Sequence, residues 1–248
     1  MFLHGLFGSR TNNRSVAKVL ARDLTRTVYC LDLRNHGDSP AAKDMDYPSL
    51  SADVAHFITT HRLVSPVVIG HSMGARTAMA LALDHPDLVG KLIAVDNGPV
   101  SRCLSSDFPR YVRAMAEIDR KGCTSQTQAD AMLLKSEQKL EVRQFLLSNF
   151  KRSPEDGTLH CRLPLEFLAK GLAHISEFNY LPGQLRYTGP TLLIRGTKSS
   201  FVPDEDLPVM GQLFPRFSLQ DINAGHWVVS ENPKEFIACV ERWLDDSD

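Results

Sequence analysis

The chain has 248 residues, of which 43% are hydrophobic and 23% are charged, a composition typical of a soluble globular protein. The length favours one α/β domain with an insertion over two domains of equal size. The net charge is −1 and the Lys and Arg residues are scattered, so nothing favours nucleic acid or an anionic membrane as a partner. No apolar run approaches the ~20 residues that span a bilayer. The five cysteines show no C-x-x-C spacing, which argues against a zinc site.

The first third of the chain alternates between predicted strands and predicted helices. Short apolar runs predict strands over residues 2–3, 28–32, 67–69 and 91–95. Helix-forming residues with one apolar face predict helices over residues 14–23, 50–61 and 75–83. Strands separated by helices of this length indicate a doubly wound, mostly parallel α/β sheet.

The pattern changes between residues 100 and 182, where no strand-like apolar run appears. Helical character is found over residues 111–118, 128–134, 139–150 and 165–172, and residues 158–162 could form a short extended segment. We interpret residues 100–182 as a helical cap insertion over the active face, between core segments 1–99 and 183–248. The sheet is predicted to resume over residues 191–196 and 217–222, and an amphipathic helix to follow over residues 233–244.

The most informative motif is Gly-His-Ser-Met-Gly at residues 70–74, directly after the predicted strand at residues 67–69. A serine between this strand and the following helix lies on a sharp turn, and the glycines two positions away relieve the crowding. Its hydroxyl then projects above the sheet edge, where the helix N-terminus favours developing negative charge. The motif predicts Ser72 as a nucleophile; the alternative is a Gly-rich turn without chemistry.

A serine nucleophile needs a neighbouring base that is itself oriented by an acid. In this architecture the chain order is serine, acid, histidine. His226 lies in a loop after the last predicted strand, where Gly225 allows a tight turn and Trp227 can pack against the imidazole. His160 and His174 also follow the serine, but they lie in the predicted cap. We therefore predict His226 as the base, with a surface loop histidine as the alternative.

The acid is ambiguous in the sequence. In many proteins of this architecture it follows the strand after the cap, but that position holds Ser199 here. Asp204, Glu205 and Asp206 come too late and are typical of a helix N-terminus. Asp96 ends the preceding strand and faces the same carboxyl edge, where ligand sites collect. We predict Asp96 as the acid, with a capping aspartate as the alternative, and Ser199 as an auxiliary hydrogen-bonding residue.

Acyl transfer also needs donors for the oxyanion, and backbone N–H groups are suited because they are fixed before the reaction. The N–H of Met73 follows the nucleophile directly. The turn at residues 4–6 (His-Gly-Leu) is predicted to supply a second donor at Leu6. His4 itself is interpreted as a structural residue that holds this turn.

These motifs together resemble the α/β-hydrolase superfamily, in particular the group that contains abhydrolase domain-containing protein 11, the yeast ethanol acetyltransferases and a bacterial short-chain acyl esterase. The matching segments are residues 2–9, 34–39, 70–74, 92–96, 199–202 and 224–227. The acid one strand early and the serine in the usual acid position are this group's pattern. The resemblance implies Ser72, Asp96 and His226 as the triad, Leu6 and Met73 as oxyanion donors, and Ser199 as a candidate auxiliary residue.

Members of this group carry strands before the His-Gly turn, whereas three residues precede His4 here. We expect most of a central strand to be missing, and we expect low solubility or low thermal stability because unpaired strand edges favour association. The resemblance also implies a mitochondrial location, with the targeting segment absent from this chain; the location otherwise expected is cytoplasmic.

The residues and the resemblance together predict a serine esterase or thioesterase acting on a small acyl ester, thioester or acyl-CoA. No metal or organic cofactor is expected, and no nucleic acid partner. Two alternatives remain open. One keeps the triad and transfers an acetyl group from acetyl-CoA to ethanol, and the other is a truncated, inactive scaffold.

Overall fold

The structure is a computed structural model that describes residues 1–246. The strands, in chain order, are β1 (Phe2–Leu3), β2 (Cys30–Leu31), β3 (Val67–His71), β4 (Lys91–Val95), β5 (Phe150–Arg152), β6 (Leu159–Cys161), β7 (Thr191–Gly196) and β8 (Phe217–Ile222). The α-helices are α1 (Arg14–Asp23), α2 (Tyr47–Thr60), α3 (Met73–Asp84), α4 (Asp107–Lys121), α5 (Gln126–Leu133), α6 (Leu140–Leu147), α7 (Leu165–Ser176), α8 (Leu207–Leu213), α9 (Val228–Glu231) and α10 (Pro233–Asp246). Across residues 1–246, no helix is both long enough and apolar enough to cross a membrane.

The chain divides into two compact units. The first unit comprises Met1–Leu33, Tyr47–Ser101 and the chain from Phe178 onward, and the second comprises Arg34–Asp46 and Arg102–Glu177. The second unit thus includes a segment, residues 34–46, that the sequence analysis assigned to the core. Its packing explains this, because Met45 lies against α7 so closely that a Cβ on Gly171 would be 2.8 Å from the Met45 Cβ.

The first unit contains a six-stranded sheet in the order β2-β1-β3-β4-β7-β8. Every neighbouring pair in this sheet is parallel. One face packs on α1 and α10, where Phe2 of β1 lies with its ring centroid 6.3 Å from that of Phe236 within a buried apolar cluster. Helices α2 and α3 pack together, and almost every residue of α3 is buried, which explains its alanine-rich sequence. The predicted doubly wound, parallel α/β class is confirmed.

The register of the central strands sets up a functional edge. His71 at the end of β3 pairs with Val95 at the end of β4, and Val95 pairs with Ile194 of β7. The residues that follow β3 and β4 are Ser72 and Asp96, so both emerge at the carboxyl edge of adjacent strands. Ligand sites of open parallel sheets collect at this edge.

Two predicted elements differ from the structure. The strand predicted over residues 28–32 is limited to Cys30–Leu31, because its partner β1 offers two residues for pairing. In the second unit, β5 and β6 form an antiparallel hairpin, although residue 150 was assigned to a helix. Strand β6 lies within the extended segment predicted over residues 158–162. Helix α6 ends at Leu147, and the exposed Lys151 and Arg152 gave β5 no apolar alternation to detect.

Candidate active site

The turn between β3 and α3 holds Ser72 in a strained backbone conformation. Its φ is 55° and its ψ is −115°, values that non-glycine residues rarely adopt. The two flanking glycines are required by close packing. A Cβ on Gly70 would lie 2.0 Å from the carbonyl oxygen of Gly74, and a Cβ on Gly74 would lie 2.3 Å from the carbonyl oxygen of Leu3. Such strain is found at functional sites when the surrounding structure enforces it.

Three side chains form a hydrogen-bonded series in which His226 contacts both Ser72 and Asp96. Ser72 Oγ is 2.9 Å from His226 Nε2, and His226 Nδ1 is 2.7 Å from Asp96 Oδ2. The Asp96 side chain is fully buried, whereas the His226 side chain is 21% exposed. The structure therefore brings together the three residues that the sequence analysis singled out, although 154 positions separate Ser72 from His226.

The Asp96 carboxylate is held from the β7 side. Its Oδ1 accepts a hydrogen bond of 2.9 Å from the Gly196 N–H, and its Oδ2 accepts one from the Ser199 hydroxyl. The Phe201 N–H in turn donates to Ser199 Oγ at 3.2 Å. Ser199, in the usual acid position, thus lies next to the carboxylate that comes from the neighbouring strand. Asp204, by contrast, forms an ion pair of 2.6 Å with Arg195.

The loop around His226 is held through its main chain by Glu231. One carboxylate oxygen of Glu231 accepts a hydrogen bond of 2.6 Å from the Gly225 N–H, and the other accepts one of 3.2 Å from the Trp227 N–H. These are the residues on either side of the histidine. Glu231 lies at the end of α9, so the loop is fixed by the helix that follows it.

Two further contacts with His226 were not foreseen from the sequence. The ring of Phe201 stacks on the imidazole, with centroids 3.7 Å apart and an interplanar angle of 17°. His71 Nε2 donates to the carbonyl oxygen of His226 at 2.7 Å. The sequence analysis expected Trp227 to pack against the imidazole, but the stacked ring is that of Phe201. The feature of the sequence that could have indicated this stacking is the aromatic residue two positions after Ser199, in the loop after β7.

The predicted oxyanion turn lies beside Ser72. The Gly8 N–H donates to the Gly5 carbonyl oxygen at 2.9 Å, which closes the turn that contains Leu6. A Cβ on Gly5 would be 3.2 Å from the Ser72 Cβ, so this turn contacts the elbow directly. Met73 is the first residue of α3, and its N–H belongs to the N-terminus of that helix. The sequence analysis predicts that the Leu6 N–H donates from this turn and that the Met73 N–H donates from the start of α3.

Two histidines near the site, the buried His4 and the half-buried His71, are neutral. The Leu33 N–H donates to His4 Nε2 at 3.0 Å, so the proton of His4 lies on Nδ1, which is 2.8 Å from the Gly5 carbonyl oxygen. Burial lowers the pKa of His4 to about 4. Burial, followed by the proximity of His226, also lowers the pKa of His71 to about 4. His4 thus supports the turn at residues 4–6 as a fixed neutral tautomer.

Acidification is expected to destabilise the fold through His4 and His71. Both imidazoles bind a proton near pH 6.5 in the unfolded chain, whereas both folded pKa values are about 4. The unfolded state therefore binds more protons between these values, so the free energy of unfolding falls as the pH drops through 6.5 towards 4. Each shift corresponds to roughly 3 kcal/mol. Urea denaturation over this pH range measures the slope.

The control for this slope is His56→Gln, because His56 is exposed on α2. The control should keep the wild-type slope, whereas His71→Asn should reduce it by the contribution of one histidine. A free energy of unfolding that does not change between about pH 7 and pH 5 would contradict this account.

A hydroxyl, an imidazole and a buried carboxylate in this hydrogen-bonded order can activate a serine for attack on an acyl carbonyl. Among residues 1–246, no group of three or more His, Cys, Asp or Glu side chains is arranged to hold a metal ion.

A parallel sheet with such an elbow and such a series of side chains at its carboxyl edge defines the class of α/β hydrolases. Residues 1–233 match the family described as alpha/beta hydrolase fold. The chain belongs to this family, and the resemblance proposed from its motifs is confirmed.

Several relatives cover nearly the whole chain. An abhydrolase domain-containing protein of Schizosaccharomyces pombe is 41% identical, over 99% of this chain and 92% of that protein. The "Probable alcohol acetyltransferase" of Saccharomyces cerevisiae is 42% identical, over 99% of this chain and 75% of that protein. The "sn-1-specific diacylglycerol lipase ABHD11" of Mus musculus is 40% identical, over 98% and 80%. Among solved structures, "Marine microorganism esterase" matches with a TM-score of 0.90 and 33% identity, over 98% of this chain and 93% of that one.

Proposed function

We propose that this protein is a serine hydrolase that cleaves small acyl esters or thioesters through an acyl-enzyme on Ser72. The observation that carries the proposal is the series of distances from Ser72 Oγ through His226 to Asp96, 2.9 Å and 2.7 Å. Membership of the α/β-hydrolase family and similarity to an esterase support the same chemistry.

In the first half of the cycle, Ser72 Oγ attacks the acyl carbonyl carbon while His226 Nε2 takes its proton. Asp96 keeps the other imidazole proton on Nδ1 and stabilises the imidazolium that forms. The N–H groups of Leu6 and Met73 donate to the oxyanion of the tetrahedral intermediate. His226 then returns its proton to the leaving alcohol or thiol, and the acyl group remains as an ester on Ser72.

In the second half, an acceptor hydroxyl attacks the acyl-enzyme. His226 removes the proton of the acceptor, the tetrahedral intermediate forms again, and Ser72 Oγ leaves with that proton. When the acceptor is water, the product is a free acid; when the acceptor is an alcohol, the product is a new ester. Each step uses groups of the chain, the substrate and the acceptor.

The substrate range is tested with a panel of p-nitrophenyl esters and acyl-CoAs of graded chain length, together with a diacylglycerol, because the mouse relative is named as a diacylglycerol lipase. We expect turnover of short acyl esters and thioesters. A folded protein that turns over none of them and fails to react with a fluorophosphonate probe would support the inactive scaffold instead.

Alcohol acyl transfer is the second candidate, favoured by the similarity to the S. cerevisiae protein. Hydrolysis and alcoholysis share the same acyl-enzyme, so the triad does not choose between them. The choice depends on how well the site excludes water and admits an alcohol. We propose that the predicted cap, residues 100–182, controls this access.

Added ethanol is expected to divert part of the acyl group into an ethyl ester. Water competes at every turnover, so a transferase with this triad should also hydrolyse its acyl donor unless the site discriminates strongly. The measurement is the ratio of ethyl acetate to acetate formed from acetyl-CoA at increasing ethanol concentrations. Ser72→Ala serves as the control. If ethyl acetate stays at the level of that control, the transferase candidate fails and hydrolysis remains.

The mitochondrial location implied by the resemblance remains a prediction. Fractionation of cells that express the endogenous protein, followed by activity-based labelling of each fraction, tests it. Labelling of a cytosolic fraction alone would contradict it.

A further inference from the structure

A buried arginine near the nucleophile is not explained by the triad chemistry. Arg76 lies on α3, four residues after Ser72, and is 4% exposed. Burying a guanidinium is costly unless its N–H groups are hydrogen-bonded. Its position close to the start of α3 adds to this cost, because the N-terminal end of a helix dipole disfavours positive charge. The contacts of Arg76 must therefore provide the compensation.

The guanidinium of Arg76 donates to the segment that directly follows Asp96. Its Nε donates to the Gly98 carbonyl oxygen at 3.0 Å, and its Nη2 donates to the Val100 carbonyl oxygen. We call residues 97–100 the acid loop. The Arg76 side chain is thus hydrogen-bonded to two carbonyl groups of the acid loop, and it connects this loop to α3, the helix that begins directly after Ser72.

The acid loop is also tied to the nucleophile itself. The side-chain Nδ2 of Asn97 donates to the Ser72 carbonyl oxygen at 3.2 Å, and Asn97 Oδ1 accepts from the Gly98 N–H at 3.0 Å. Asn97 is buried. Arg76 and Asn97 therefore hold the main chain of the acid loop at successive points.

Asp96 needs this restraint because its backbone is strained. Its φ is 50°, a left-handed conformation that persists in a non-glycine residue when its surroundings enforce it. Its N–H still donates to Ile194 in the sheet ladder, but β4 ends at Val95. Beyond that point, the main chain is restrained by Arg76 of α3 and by the bond from Asn97 to the Ser72 carbonyl oxygen. The carboxylate is held from the β7 side, and the chain that carries it is held from the α3 side.

Arg76 also contacts a residue where the chain enters the first unit. The hydroxyl of Tyr47 is hydrogen-bonded to Arg76, and burial raises the pKa of this tyrosine. The Tyr47 ring packs edge-on against Phe178, with centroids 5.6 Å apart, and the Phe178 N–H donates to Ser101 Oγ at 2.7 Å. Residues 47, 101 and 178 are ends of first-unit segments. Arg76 thus links the acid loop to these ends.

We propose that Arg76 is a positioning residue for the triad acid: it fixes the acid loop so that the Asp96 carboxylate meets His226 Nδ1. This inference rests on the proposed function. The fork geometry of arginine suits the task, because it reaches two carbonyl groups and a hydroxyl at once, whereas a lysine offers a single ammonium group.

The test is Arg76→Met, which keeps an unbranched side chain and removes the donors. We expect kcat on p-nitrophenyl acetate to fall at least about tenfold while KM changes less than about threefold, because the imidazolium loses its fixed carboxylate. We also expect the acidic limb of the pH–rate profile to move to lower pH, because an opposite charge favours the protonated imidazole. Arg76→Lys should show the same signature.

The matched control is Tyr187→Phe. The Tyr187 hydroxyl is buried and donates to the carbonyl oxygens of Val89 and Gly90, at 3.0 Å and 3.2 Å, just before β4. The control removes comparable hydrogen bonds from the opposite end of the same strand. It should lower the melting temperature and leave kcat and the pH–rate profile unchanged.

A double variant separates positioning from general loosening of the fold. If Arg76 acts through Asp96, Arg76→Met should cost less than about threefold in an Asp96→Asn background, since residues that act as a unit are not additive. An equal loss in both backgrounds, or a wild-type kcat and pH profile in Arg76→Met, overturns the inference. If Arg76→Met does not fold, Asn97→Ala should give the same signature with smaller size, and a wild-type profile there also overturns it. Persistent fluorophosphonate labelling of Ser72→Ala would instead refute the proposed function.

Discussion

Ser72→Ala is expected to abolish fluorophosphonate labelling and to lower ester turnover by roughly 10³-fold or more, because members of a triad act as a unit. In the proposed mechanism the hydroxyl oxygen forms the acyl bond, and its proton is accepted by His226 Nε2, which lies 2.9 Å away. Alanine removes both while keeping the Cβ. The expected loss is therefore in kcat, with the fold retained.

The matched control is Ser51→Ala. The Ser51 hydroxyl on α2 is buried without a hydrogen-bond partner in the part of the chain that the structure describes. Its removal should leave activity intact and should not destabilise the fold, because an unsatisfied buried hydroxyl contributes nothing favourable. A Ser72→Ala protein that retains more than about a tenth of the wild-type kcat would contradict the assignment of Ser72 as the nucleophile. A tenfold loss of kcat corresponds to an increase of only about 1.4 kcal/mol in the activation barrier.

The sequence predicted the fold best where one local pattern decides the structure. The bounds of α1, β4, β7 and β8 were predicted as they occur, because short apolar runs and a one-sided apolar face need no distant information. The bounds of β2 depend instead on the length of its neighbour β1. In the hairpin, β6 lies within the extended segment predicted over residues 158–162. Strand β5 could not be predicted in this way, because its three residues include the exposed Lys151 and Arg152 and show no apolar alternation.

The candidate site could be predicted from the sequence for a topological reason. Ser72 and Asp96 each follow a parallel strand directly, and the carboxyl ends of such strands meet at one edge. The supporting contacts could not be found in the same way. His71, Phe201 and Arg76 act on main-chain or side-chain groups far away in sequence, such as the His226 carbonyl oxygen 155 positions from His71. Contacts between residues so far apart in the sequence produce no local motif from which they could be predicted.

Asp96→Asn is expected to lower kcat by roughly 10³- to 10⁴-fold while the protein stays folded. The amide is isosteric, and its oxygen can still accept from the Gly196 N–H. Its nitrogen then faces His226 Nδ1, where it acts as a donor. This forces the imidazole proton onto Nε2, so His226 can no longer accept the Ser72 proton. The measurement is kcat on p-nitrophenyl acetate, with circular dichroism to check the fold.

Asp204→Asn is the matched control for the loss of a carboxylate after β7. The Asp204 side chain is 83% exposed and pairs with Arg195, so its loss should change kcat little. Asp206 is a poorer control because it is buried, and its carboxylate lies 3.4 Å from the position of a Cβ on Gly98 in the acid loop.

The assignment of Asp96 as the acid can be tested further by moving the carboxylate from position 96 to position 199. The Ser199 hydroxyl donates to the same Asp96 oxygen that contacts His226 Nδ1. A carboxylate introduced by Ser199→Asp would therefore reach the imidazole from the loop after β7. We expect Asp96→Asn with Ser199→Asp to recover at least about tenfold of the kcat lost in Asp96→Asn alone, because the imidazole again has an acceptor at Nδ1. A folded Asp96→Asn variant with near wild-type turnover would show that another carboxylate is the acid. In that case the single variant would have lost no kcat for the double variant to recover.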